Sequence, residues 1–289
     1  MERHLFFHSR GHRLLGVLHT PDEPPARPGA LVFLHGWAGY RIGPHQMFTK
    51  MARRACRDGF PCLRFDFRGR GDSEGDARRT TLSTMIEDAL AAVEMVCAEV
   101  GVERVALIGD CSGGEVAIGA GPLDGRIDAL VLWSAPIVGG DPALAGEAAA
   151  AKRRGVYAEY MRKLFRRETW AKLLGGSLQP RMILRALRRG GRGAGEEGAQ
   201  EDRRIDWRDR FLSFSGEALL IYGGNDPTAP SALRHYRALT EEAGRAWHSH
   251  VVEGSNHAFY SLAWEDEVMG AGLDWLSALY PLPGDSPGA

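Results

Sequence analysis

Residues 105–120 read VALIGDCSGGEVAIGA, and the way this stretch divides decides the fold. VALIG is apolar without alternation, which is how a strand buried on both faces of a parallel sheet reads. The segment after Gly114 is rich in alanine, valine and isoleucine and reads as a helix. Between them a sharp turn must carry Asp110-Cys111-Ser112. A side chain at such a turn is held exposed on strained backbone, and the residues two before and two after it must lack bulk where strand and helix nearly touch. Gly109-x-Cys111-x-Gly113 satisfies that register. Ser112 in the same role would need glycine at 110, where Asp110 stands. The spacing therefore makes Cys111 the candidate nucleophile, in the place where G-x-S-x-G sequences carry serine. The competing readings are Ser112 as nucleophile, or a buried and inert cysteine. Cysteine suits the position, because a helix N-terminus and a nearby histidine favour the attacking thiolate. The backbone N–H of Ser112 points at a developing oxyanion.

Outward from this turn, similar runs predict strands at Leu14–His19, Ala30–Leu34, Pro61–Phe67, Ala129–Trp133, Ala218–Tyr222 and His248–Val252. A helix is expected from near Thr84, with Thr84-x-x-Glu87 as its capping box and Gly101 as its stop. Strands alternating with helices, joined by right-handed crossovers, predict a doubly wound, mostly parallel α/β sheet forming one domain. The alternation breaks after Trp133–Pro136. Helical periodicity resumes around Tyr157–Leu174 and Arg181–Arg188. A structureless loop of that length is uncommon in a compact domain, so a helical cap is expected over about 137–212.

The order nucleophile, acid, histidine is the order of this fold's triad. After ALLIYGG comes Asn225-Asp226-Pro227, and after HSHVVEGS comes Asn256-His257-Ala258-Phe259. An Asp-Pro alone is usually a turn, and a loop histidine alone is usually a surface residue. Their order behind Cys111, each just past a strand, assigns His257 as general base and acid. Asp226 then orients it and stabilises the imidazolium. The loop His35-Gly36-Trp37-Ala38-Gly39 supplies a second oxyanion donor, the backbone N–H of Trp37; His35 reads as structural. His248-x-His250 lacks a third ligand nearby, and no phosphate or dinucleotide fingerprint is present. Neither metal nor cofactor is expected.

The segments LVFLHGWAG, LRFDFRGRGDSEG, IGDCSGGEVA, YGGNDPTAP and GSNHAF resemble the α/β-hydrolase superfamily, and its serine aminopeptidase-like branch in particular. The loop Arg68–Glu74 is a landmark of those proteins and is assigned a structural role. HGWAGYRIGPHQMF, YMRKLFRRETWAKLLGG, the elbow cysteine and the ending NHAF…AWEDEV…LDWL resemble the exosortase A system-associated hydrolases more narrowly. That resemblance implies a bacterial setting of exopolysaccharide or surface-protein export.

Composition narrows the partners. The 289 residues are 44% hydrophobic and 25% charged, with a net charge of −1: an ordinary globular balance. Cys56, Cys62, Cys97 and Cys111 form no C-x-x-C pair, and Cys62 and Cys97 read as small buried hydrophobes. No apolar run is long enough to span a membrane, and the N-terminus lacks a signal-like core, so a cytoplasmic location is expected. Residues 152–192 hold 13 Lys/Arg against Glu159 and Glu168, leaving −12 for the rest. The leading reading is a solvated basic face. Its alternatives are steering of an anionic substrate, or peripheral contact with anionic lipid. Aromatic interleaving for nucleic acid is missing. The expected activity is hydrolysis of a carboxylic ester or thioester, small or carrier-bound, through a Cys–His–Asp acyl-enzyme. Its alternatives are acyl transfer through the same intermediate, or a non-catalytic binding protein.

Overall fold

A computed structural model describes residues 1–22, 26–139, 202, 205–245 and 247–283. An eight-stranded sheet runs in the spatial order β1-β2-β4-β3-β5-β6-β7-β8. The strands are β1 (Glu2–Ser9), β2 (His12–His19), β3 (Gly29–Leu34), β4 (Cys62–Phe65), β5 (Arg104–Asp110), β6 (Ile127–Trp133), β7 (Glu217–Gly223) and β8 (His248–Val252). β2 pairs antiparallel with both β1 and β4, and the remaining pairings are parallel.

Burial on both faces explains the uninterrupted apolar runs. In β3, Ala30, Val32 and Leu34 enter one core layer while Leu31 and Phe33 enter the other. Val105 and Leu107 of β5 alternate with Ala106 and Ile108 in the same way. The first layer is covered by α2 (Leu82–Val100), α3 (Ser112–Ala120), α4 (Trp207–Ser213) and α5 (Ala229–Glu242). The second is covered by α1 (Met47–Arg57) and α6 (Leu262–Leu279). The helix that follows β3 thus packs on one face of the sheet and the helix that follows β5 on the other. Adjacent parallel strands whose connections depart to opposite faces leave a crevice at their carboxyl ends, where ligands of open α/β sheets bind.

Two sequence expectations change. The first strand, β1, was not foreseen; its exposure is high except at Phe7 and Ser9, as suits a one-sided edge strand with a weak apolar signal. The capping box lies three residues earlier than expected, with Thr81 as the cap and Thr84 returning the bond from inside the helix. Glu87 is drawn instead to Arg10 and Arg68. Gly101 ends α2 in the left-handed region, as expected. Most of the expected cap interval, including its basic residues, lies outside the described residues. Its C-terminal part contains α4, whose Phe211 is buried against the core under α5.

Candidate active site

Cys111 sits between β5 and α3 with φ 51° and ψ −120°, a strained conformation for a residue with a side chain. The flanking glycines leave the space this needs. A Cβ on Gly113 would stand 2.0 Å from the Leu34 carbonyl oxygen, and one on Gly109 would stand 2.5 Å from that of Gly113. The turn is tied down by Cys111 N–H donating to the Trp133 carbonyl at 2.8 Å and Gly114 N–H donating to the Cys111 carbonyl at 2.8 Å. Cys111 remains half-exposed. Ser112 is 9% exposed and already inside the helix.

His257 lies in the loop between β8 and α6, and Asp226 in the loop between β7 and α5. The fold brings His257 Nδ1 to 2.7 Å from Asp226 Oδ2. Asp226 is buried, and its other oxygen accepts from the Thr228 N–H at 2.9 Å and the Thr228 hydroxyl at 2.8 Å. Burial pushes this carboxyl up, but the bonds from His257 and Thr228 outweigh it and hold Asp226 below the ordinary carboxylate range. Hydrogen bonding to Asp226, and then to Cys111, pushes His257 up to about 10. The imidazole is thereby biased toward its protonated form, placed between an anionic orienting group and the cysteine.

The loop after β3 meets the head of α3. Trp37 N–H donates to Ser112 Oγ at 2.6 Å, so both expected oxyanion donors belong to one small cluster. His35 is 1% exposed. Its Nδ1–H donates to the Gly36 carbonyl at 2.8 Å, while Nε2 accepts from Phe67 N–H at 3.3 Å. Burial lowers it to about 4, so it stays neutral and anchors the loop after β3 to the chain after β4. His248 and His250 are dispersed: His248 lies against Trp275, and His250 pairs with Glu267. No group of three or more potential metal ligands occurs among the described residues.

This arrangement joins a half-buried thiol on a glycine-cleared turn, an acid-oriented histidine and the Trp37 N–H bonded to the Ser112 hydroxyl at the head of α3. A family model described as the alpha/beta hydrolase family matches residues 31–271. The chain belongs to that family. Among solved structures, Est1E from Butyrivibrio proteoclasticus with bound ferulic acid superposes with a TM-score of 0.67 at 17% identity, over 95% of this chain and 98% of that one. An esterase from Pyrococcus furiosus gives 0.66 at 17% identity, over 96% of this chain and 91% of that one. Among curated proteins, the quorum-quenching protein AidA of Acinetobacter baumannii is 30% identical over 128 residues. The match spans 43% of this chain and 41% of that protein, about two-fifths of its length.

Several residues of the site were not singled out by the sequence. Thr228 follows Asp226 by two residues, a spacing typical of side chains that bond their own turn, so a local signal existed. Ser134 carried none: its hydroxyl donates to the His257 carbonyl at 3.0 Å from a backbone with φ 47°. Asp110 drew attention only as the residue that excludes Ser112. In the structure its carboxyl is pushed up to about 6 by burial. The loop Arg68–Glu74 is structural for the most part. Arg68 is locked to buried Asp88 through Nε at 2.8 Å and Nη2 at 2.6 Å, and Ser73 Oγ donates to the Asp66 carbonyl at 2.6 Å. No described helix is long and apolar enough to cross a membrane.

Proposed function

We propose that the protein hydrolyses carboxylic esters or thioesters through an acyl-enzyme on Cys111. The observation that carries this reading is that Asp226 and Cys111 both bear on one imidazole, His257, which is raised to about 10. An imidazolium at neutral pH is the natural counter-ion of a thiolate. In the reaction the sulfur attacks the acyl carbonyl carbon, and the carbonyl π pair moves onto oxygen. The N–H groups of Trp37 and Ser112 receive that oxyanion. As the tetrahedral intermediate collapses, the bond to the leaving group breaks and His257 protonates the departing oxygen or sulfur. His257 then takes a proton from water, which attacks the thioester and releases the acid and the thiol. Asp226 keeps the imidazole in orientation throughout.

The esterase neighbours support an acyl substrate by analogy of fold. The narrower resemblance to exosortase A system-associated hydrolases extends the proposal to a bacterial surface-export setting. The test is intact-mass spectrometry after brief incubation with p-nitrophenyl acyl esters and an acyl thioester. The expected result is an acyl adduct on wild type and Ser112→Ala that is missing from Cys111→Ala. An adduct that survives Cys111→Ala would remove the cysteine from this role.

A further inference from the structure

The loop after β4 carries two arginines in opposite circumstances. Arg68 is fully engaged by Asp88. Arg70 is partly buried, and its guanidinium donates to no carboxylate, carbonyl or hydroxyl among the described residues. Its Nε is fully buried without an acceptor. The nearby acid, Asp66, is already committed: it binds the Arg41 guanidinium, the Arg41 N–H at 2.6 Å and the Asp72 N–H at 3.0 Å. Burial alone lowers Arg70 from the ordinary arginine value, with no charged neighbour offsetting it. Its visible support is Trp37, over whose ring the guanidinium carbon lies 5.2 Å from the centroid. That contact is not a hydrogen bond, and among the described residues the guanidinium N–H groups meet no acceptor. A partly desolvated cation with idle donors is a standing cost unless something else completes it. The residue it rests on, Trp37, is the one whose N–H, bonded to Ser112 Oγ at 2.6 Å, is proposed above to receive the oxyanion.

We propose that Arg70 binds a carboxylate carried by the acyl substrate, in a subsite adjoining the oxyanion hole. The planar guanidinium fork matches a planar carboxylate bidentately. A phosphate dianion fits less well, because the adjacent His35 is neutral, held at about 4, and would leave half of its charge uncompensated. The choice of an acyl substrate rests on the hydrolase reading above, whereas carboxylate binding by Arg70 stands apart from it.

The experiment compares wild type, Arg70→Met and Arg70→Lys on two esters, p-nitrophenyl butyrate and mono-p-nitrophenyl glutarate. Alongside, calorimetric titrations use glutarate and inorganic phosphate. The kcat/KM ratio of the anionic over the neutral ester is expected to fall by about tenfold or more in Arg70→Met, with partial recovery in Arg70→Lys. Glutarate should bind wild type more tightly than phosphate does, and lose that binding in Arg70→Met. An unchanged ratio in both variants, or phosphate binding as tight as glutarate, would overturn the assignment. Should neither ester be turned over, the hydrolase reading fails and calorimetry decides alone. Glutarate binding lost with Arg70 sustains the subsite, and no binding by wild type overturns it. If Arg70→Met does not fold, Arg70→Gln, which also removes the charge, supplies the same comparison.

Discussion

His257 Nδ1 lies 2.7 Å from Asp226 Oδ2, although each residue comes from a separate loop at the carboxyl edge of the sheet. Neither loop makes this pair alone. Asn225 N–H donates to the Ser255 carbonyl at 2.7 Å, and Asn225 Nδ2 donates to the Gly254 carbonyl at 2.8 Å, stitching one loop to the other. The two loops are therefore held together by bonds that involve neither Asp226 nor His257, and removing one partner should leave the other in place.

On that basis Cys111→Ala should abolish turnover of p-nitrophenyl esters with little change in melting temperature. His257→Ala should lower kcat by roughly 10³-fold or more, because one group serves in both half-reactions. Asp226→Asn should retain more activity than either, since Thr228 and the stitched backbone still hold the loop. Steady-state kinetics with parallel thermal melts checks all of these variants, and wild-type turnover by Cys111→Ala would contradict the scheme.

The elevation of His257 to about 10 makes stability depend on pH in a defined direction. The unfolded imidazole titrates near ~6.5, so the contribution is fully present below that pH and is lost as pH rises through about 10. Asp226, held low, contributes above the ordinary carboxylate range, and that part is lost in acid. The melting-temperature gap between wild type and His257→Gln should therefore be widest below neutrality and narrow as pH approaches 10. A gap that widens with rising pH would show the opposite linkage.

Asp110 has the reverse sign. Its folded value, pushed up to about 6, means that ionising it costs stability, a cost absent in acid and complete above that pH. Asp110→Asn should raise the melting temperature at pH 8 and change it little at pH 3. Thermal melts at the two pH values test this, and an acid-only effect would refute it.

Gly113→Ala should be among the most damaging small substitutions in the chain. The added methyl would sit 2.0 Å from the Leu34 carbonyl oxygen, and that oxygen belongs to a central strand without freedom to retreat. A loss of ~3 kcal/mol or more, or failure to fold, is expected in chemical denaturation. Gly101→Ala is the control, because nothing lies within 4 Å of the added carbon there and only backbone strain at φ 71° is felt.

The sheet was legible because its inner strands are buried on both sides and spell continuous apolar runs. GALVFL and RVALIGD need no context to be recognised. β1 escaped for the opposite reason: an edge strand with one covered face shows little beyond Phe7. The places of Cys111, Asp226 and His257 in the fold were legible because each follows a strand in a fixed order, and the glycine register marked Cys111 as the candidate nucleophile. The state of Asp110, the bond from Ser134 and the isolation of Arg70 were not legible. Each depends on which partners a side chain meets or lacks among the described residues in three dimensions, and spacing records neither. The capping box slipped by one turn because Thr81 and Thr84 both qualify as caps, and only the backbone at Thr81, extended at φ −133°, separates them.

If Trp37 supplies the proposed oxyanion donor, its 2.6 Å bond to Ser112 Oγ fills that place before substrate arrives. On the proposed reading, an entering carbonyl must evict a hydroxyl, exchanging one neutral acceptor for another at little net gain. The oxyanion that forms after attack is a far stronger acceptor than the hydroxyl it displaced. The cost of displacing the hydroxyl falls on both states, but only the oxyanion more than repays it, so the donor discriminates by charge.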